Sequence, residues 1–323
     1  MLEHGGRLRQ AARRHGIALA EWVDLSTGIN PRAYPVPPLA PEVWQRLPET
    51  DDGLEAAAAA FYGNPLLLPV AGSQAAIQAL PECFAPARVL TLAPTYAEHP
   101  HAWRGHQIRA VAAEQIAAAL GEADILLLVQ PNNPDGQRFP RARLLAWHAE
   151  LAARGGCLIV DEAFIDADPA DSLVPLAGQP GLVVLRSVGK FFGLAGARVG
   201  FVFAEARVLN ALAERLGPWA VSGPARQVTA AALADTAWQA EARHCLARDS
   251  HRLAALLDAH GLGGGGGTAL FQWRPTPRAR ALHEQLAAQG ILTRLFEAPA
   301  GLRFGLPASE SEWARLAAAL AES

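Results

Sequence analysis

At 323 residues the chain has room for one large or two modest domains with an ample core. A formal net charge of -3 and a 51% apolar composition argue against a nucleic-acid partner. No uninterrupted apolar run reaches the ~20 residues a membrane span needs. The opening Met1 to Arg7 lacks the apolar core of a secretory signal. Cys83, Cys157 and Cys245 are widely spaced, with no CxxC, and predict reduced cysteines in a cytoplasmic protein.

Residues 1–47 read as an N-terminal arm. Leu8, Ala11, Ala12 and His15 fall at helical spacing, and the helix leads into Trp22-Val23-Asp24-Leu25 and then Ser26-Thr27-Gly28-Ile29-Asn30-Pro31. The prolines of Tyr34 to Pro38 force extended chain. An alanine-rich helix then runs to about Tyr62, where Gly63-Asn64-Pro65 stops it.

From residue 66 strands and helices alternate. Strands are predicted at 66–70, 88–92, 125–129, 157–160, 182–185 and 199–203, with helices after the first two and over 141–153. Continuous apolar strands alternating with helices predict a parallel sheet covered on both faces, with ligands at the carboxyl ends of its strands. Beyond Gly217-Pro218 the texture changes. A long helical region (224–260) ends in five glycines (263–267), followed by a strand at 269–273, a helix over 277–289, short strands near Leu292 and Leu302, and a helix over 309–321. The expected division is therefore an arm (1–47), a large domain (48–217) and a smaller α+β unit (218–323).

Lys190 is the only lysine, so all but one of the 28 Lys and Arg residues are arginine. Arginine stays charged at any accessible pH, whereas a lysine can lose its proton and attack a carbonyl. Residues at the predicted strand ends bear on what that lysine does. Gly72-Ser73-Gln74 joins a strand to a helix and reads equally as an anion site or as an ordinary N-cap. Tyr96 is either a core aromatic or a flat surface for a flat ligand. The stretch Pro131-Asn132-Asn133-Pro134 is turn chemistry that also offers a directed hydrogen bond. A carboxylate at Asp161, ending a buried strand, needs a partner such as a protonated heterocyclic nitrogen. Arg198 could meet a phosphate bidentately.

Three other patterns point elsewhere and fail. Leu158 to Glu162 fits a Walker-B strand, but no GxxxxGK[ST] loop accompanies it. Gly261, Gly263 and Gly266 formally make GxGxxG, yet follow a helix instead of a strand. His99, His101 and His106 lack a helical i,i+4 pair and read as solvated loop histidines in preference to metal ligands.

Taken together, Pro-Asn-Asn-Pro, Asp-Glu-Ala-Phe, Ser187-x-x-Lys190 and Arg198 resemble, in order and spacing, the fold-type I pyridoxal-phosphate enzymes. His4-Gly5-Gly6, the Asp24 to Pro31 stretch and Asp161 to Asp166 resemble the branch of histidinol-phosphate aminotransferases and threonine-phosphate decarboxylases, the latter more closely. The resemblance implies a mostly parallel seven-stranded sheet between helices plus a smaller α+β domain. It implies pyridoxal 5′-phosphate as cofactor, a phosphorylated amino acid as substrate and a homodimer. Lys190 would be the Schiff-base lysine, Asp161 the partner of the ring nitrogen and Tyr96 the stacking residue, these three forming the catalytic set. Asn133 would bond the ring's phenolic oxygen, beside Phe164, which stands where most aminotransferases have a tyrosine. Gly72, Ser73, Gln74, Ser187 and Arg198 would surround the cofactor phosphate. Arg303 would fix the substrate carboxylate, His4 and Arg294 would hold its phosphate, Asn30 would lie between the two anionic groups, and Gly28 and Asn133 would also touch substrate, so that remote binding energy sets the reacting geometry. Leu47 stands where many relatives place a tyrosine that reaches the partner subunit's cofactor phosphate. The implied reaction is decarboxylation of threonine phosphate, with histidinol-phosphate amino transfer as the alternative.

Overall fold

The central strands are apolar at consecutive positions because both of their faces are covered. In the computed structural model, which describes residues 4–322, Leu126, Leu128, Leu158, Val160 and Val184 point into one core cluster. Ile125, Leu127, Ile159, Val183 and Leu185 point into the other. This is the two-residue period of a strand applied to a sheet buried on both sides.

The chain opens with α1 (Leu8–His15), β1 (Val23–Asp24), α2 (Glu42–Gln45) and α3 (Leu54–Tyr62). It continues through β2 (Leu67–Val70), α4 (Ser73–Ala79), β3 (Arg88–Leu92), α5 (Glu98–Ala102), β4 (Gln107–Val111), α6 (Ile116–Ala119) and β5 (Ile125–Val129). Next come α7 (Arg141–Ala152), β6 (Cys157–Asp161), β7 (Leu182–Ser187), α8 (Val188–Phe191), β8 (Gly200–Phe203) and α9 (Ala206–Leu216). Two longer helices, α10 (Gly223–Ala234) and α11 (Thr236–Ala259), precede β9 (Gly266–Thr268) and β10 (Phe271–Pro275). The chain ends with α12 (Ala279–Ala288), β11 (Ile291–Leu292), β12 (Arg294–Glu297), β13 (Ala300–Gly305) and α13 (Glu310–Ala321).

The seven-stranded sheet has the order β2-β8-β7-β6-β5-β3-β4. It is parallel except for β8, which runs antiparallel to both neighbours. The edge strand β4 is absent from the sequence-based reading. Its residues Gln107, Arg109 and Ala110 are exposed, so it shows no apolar run to find. The helical region predicted over 224–260 is two helices, because Asp235 caps the second by accepting a hydrogen bond from the Trp238 N–H at 2.9 Å.

A second sheet, β12-β13-β10-β9, is antiparallel. The glycine run is a working part of it, with Gly266 and Gly267 inside β9. A Cβ on Gly266 would overlap the Asp135 carbonyl, and one on Gly136 would overlap the Gly267 backbone. The run thus lets β9 lie directly against the turn that follows Asn133. The arm joins the same region, with β1 pairing in parallel with β11. Among the described residues, no helix is long and apolar enough to cross a membrane.

Candidate active site

The carboxyl ends of the sheet strands converge on one cavity of about 210 Å³. Its lining includes Lys190 from α8, Asp161 from the end of β6, Asn133 from the loop after β5 and Ser187 from the end of β7. Ser73, Gln74, Tyr96, Phe164 and Arg198 complete the large-sheet side, and His4, Gly28 and Arg303 close the other. This is the location that an open α/β sheet offers to a ligand.

Lys190 has its pKa pushed down to about 8, first by burial and then by the nearby Arg303 guanidinium, with Asp161 opposing. Its ammonium stands 5.3 Å from the Phe164 ring centroid. The lysine can therefore reach its neutral, nucleophilic form near neutral pH. Asp161 is buried, and its two oxygens have separate partners. Oδ1 accepts from the Ala163 N–H at 3.0 Å, and Oδ2 lies 2.8 Å from His99 Nε2.

That last contact corrects the sequence-based picture of His99. It is a buried residue on α5, not a solvated loop histidine, and its Nδ1 has no hydrogen-bond partner. His99 lies three residues after Tyr96, so one helical turn carries both toward the sheet, and that spacing was the signal available. Glu162, next to Asp161, serves another network. It accepts from the Leu173 N–H at 2.7 Å and the Ser172 hydroxyl at 2.7 Å, and it pairs with Arg186, which also meets Asp166 at 2.6 Å. Adjacent carboxylates thus point to opposite faces of the strand end.

Arg303 is buried, and its pKa is lowered to about 10 by burial first and then by Arg294. It donates to Asn133 Oδ1 at 2.6 Å and to the Ser26 carbonyl at 3.1 Å, while its Nε has no partner. A guanidinium only donates, so the Asn133 atom facing it must be oxygen. The NH2 end of Asn133 is then the one available to a ligand oxygen. Tyr96 donates to Gln74 Oε1 at 3.3 Å, and burial raises its pKa to about 12, so it stays a neutral phenol.

Gly72 has φ +74°, and a Cβ there would lie 2.7 Å from Arg198 Nη2. Only glycine lets that guanidinium approach the start of α4. A Cβ on Gly28 would sit 2.8 Å from Phe271 and 2.9 Å from Phe164, so the arm can run this close to the cavity only because Gly28 lacks one.

Two expected substrate residues lie elsewhere. Asn30 is buried and fully committed to main chain: Nδ2 donates to the Phe191 carbonyl at 2.9 Å and Oδ1 accepts from the Arg32 N–H at 3.0 Å. Its own N–H donates to the Lys190 carbonyl at 3.0 Å. Asn30 therefore ties the arm to the Lys190 backbone instead of lining the cavity. Arg294 stands opposite Arg303 in the β12–β13 register. It lines an adjoining cavity of about 380 Å³, which shares His4, Gly5 and Ser26 with the first.

With this geometry the comparisons with known proteins agree. The model of the family described as aminotransferase class I and II matches residues 39–320. The chain belongs to that family. It is 57% identical over 322 residues to the threonine-phosphate decarboxylase of Pseudomonas aeruginosa, covering 99% of this chain and 97% of that protein. It is 44% identical to a threonine-phosphate decarboxylase of a Sinorhizobium species, covering 98% and 97%. The fold is similar to that of the histidinol-phosphate aminotransferase of Sinorhizobium meliloti solved with pyridoxal-5′-phosphate, with a TM-score of 0.84, 24% identity and coverage of 99% and 95%.

Proposed function

We propose that the protein decarboxylates L-threonine O-3-phosphate to (R)-1-aminopropan-2-ol O-2-phosphate, for the nucleotide loop of cobalamin. The observation that carries this reading is the 57% identity, over nearly both full lengths, to a threonine-phosphate decarboxylase. Pyridoxal 5′-phosphate is the cofactor, and the residues fit it. The cavity holds one lysine of lowered pKa, a buried carboxylate and a guanidinium beside a glycine. When bound, the cofactor supplies an electron sink for the bond that breaks.

In this reading Lys190 Nζ would be the amine that holds the cofactor at its aldehyde end. Asp161, braced by the Ala163 N–H and His99, provides the negative charge that a protonated ring nitrogen requires. Asn133 would offer its NH2 to the cofactor's phenolic oxygen, Tyr96 would cover its ring face, and Phe164 would pack beside it. Gly72, Ser73, Gln74, Ser187 and Arg198 would hold the cofactor phosphate. Arg303 orients the substrate carboxylate, and His4 with Arg294 takes the substrate phosphate across the boundary between the two cavities. Binding energy from the phosphate end then holds the Cα–carboxylate bond in its reacting direction. The carboxylate leaves as CO2, and a proton from Lys190 Nζ takes its place on Cα.

We also infer a cytoplasmic homodimer. Val36, Trp44, Leu47 and Trp219 are 60%, 70%, 63% and 58% exposed, large apolar side chains that a second subunit would cover. The cysteines are all free, as a reducing compartment keeps them. Mass spectrometry of the products tests the reaction: incubation with L-threonine O-3-phosphate is expected to yield the amino-alcohol phosphate. A 2-oxo acid bearing the same phosphate would contradict it.

A further inference from the structure

Glu98 is a buried carboxylate at the first position of α5, and the functional reading leaves it without a task. A buried acid needs partners, and those of Glu98 are site residues from two sides of the cavity. Oε2 accepts from Gln74 Nε2 at 2.8 Å, and Gln74 in turn accepts from the Tyr96 hydroxyl. Oε1 lies 2.6 Å from His4 Nε2. The chain Tyr96–Gln74–Glu98–His4 therefore runs from the expected cofactor face to the expected substrate-phosphate face.

The arm bearing His4 is held at a second point. The Gly6 N–H donates to Ser26 Oγ at 2.7 Å, and a Cβ on Gly5 would overlap the Ser26 carbonyl. These contacts fix the backbone of residues 5 and 6 against the end of β1. They do not fix the His4 ring, which is connected to the body of the protein through Glu98 and approaches Tyr96 only at a 6.2 Å centroid separation. Because a carboxylate only accepts, Glu98 also assigns the hydrogen of this contact to Nε2 of His4, fixing which ring nitrogen faces the acid.

We propose that Glu98 is a positioning residue for the substrate phosphate: it anchors and orients His4, and ties that orientation to the cofactor-side pair Gln74 and Tyr96. The proposal rests on the reading of His4 as a phosphate ligand. It also accounts for an acid bonded to two residues read as phosphate ligands, Gln74 and His4.

The test is steady-state kinetics of the holoenzyme with L-threonine O-3-phosphate for wild type, His4→Ala, Glu98→Ala, Glu98→Gln and the double variant His4→Ala/Glu98→Ala. Loss of one hydrogen bond to a charged group is worth roughly a tenfold change or more. His4→Ala and Glu98→Ala are each expected to raise KM about tenfold and to lower kcat as well, since the phosphate end also aims the Cα–carboxylate bond, with the visible band of the bound cofactor nearly kept. The double variant should be no worse than the single ones, because both remove one device. Glu98→Gln, which keeps the volume and one acceptor oxygen, should fall between wild type and Glu98→Ala. If His4→Ala raises KM while Glu98→Ala and Glu98→Gln leave it unchanged, or if the two effects multiply, the positioning role is wrong and the phosphate role of His4 stands. If His4→Ala leaves KM unchanged, the phosphate role itself is wrong and the proposal falls with it.

Discussion

At the scale of single residues, reactivity depends on a lysine that must be neutral to attack a carbonyl. Burial and the Arg303 guanidinium push Lys190 to about 8 from its ordinary 10.5, with Asp161 only partly offsetting them. Between those two values the unfolded chain binds more protons at this group than the folded one. The lysine's contribution to stability is therefore least favourable below about 8 and improves as pH rises through that window. The same shift sets reactivity. Uptake of pyridoxal phosphate by cofactor-free protein, followed by its visible band, is expected to accelerate as pH rises through about 8, and Lys190→Ala should form no such band. A rate that is flat from pH 7 to 9 would contradict the neutral-amine argument.

At the scale of elements, the device to examine is the contact between β9 and the turn after Asn133. Gly136 sits at φ +74° directly against Gly267, so a side chain there meets both backbone strain and overlap. Gly136→Ala is expected to destabilise the protein by at least about 1–2 kcal/mol in denaturant unfolding. It should also lower kcat/KM, because Asn133 is held by Arg303 only while that turn keeps its place. Unchanged stability would mean that β9 gives way freely.

This contact also shows what a sequence conceals. The apolar strands β5, β6 and β7 were legible because burial on both faces leaves no polar position, and with them came Asp161 and Lys190 at their ends. The glycine run gave no strand signal, because close approach of two backbones leaves no side-chain signature. Edge strand β4 was hidden by its exposed Gln107 and Arg109. His99 and Glu98 were missed for another reason: their partners lie 62 and 24 residues away in the chain, so only the fold brings them together. An asparagine bonding main chain, as Asn30 does, looks in sequence like one that bonds a ligand.

At the scale of the whole molecule, the arm pairs through β1 with β11, bonds the Lys190 carbonyl through the Asn30 N–H, and leaves Trp44 and Leu47 facing outward. Sedimentation is expected to give a dimer, and Trp44→Glu with Leu47→Glu should shift it toward monomer; a wild-type monomer of full activity would oppose the homodimer. The central claim concerns which bond breaks, since Lys190 and Asp161 would serve amino transfer equally well. The most direct measurement offers the holoenzyme L-threonine O-3-phosphate carrying label in its carboxylate, and separately histidinol phosphate with 2-oxoglutarate. Stoichiometric release of labelled CO2 in the first reaction, with negligible glutamate formed in the second, is the predicted result. Glutamate formation with the label retained in a 2-oxo acid would contradict the account.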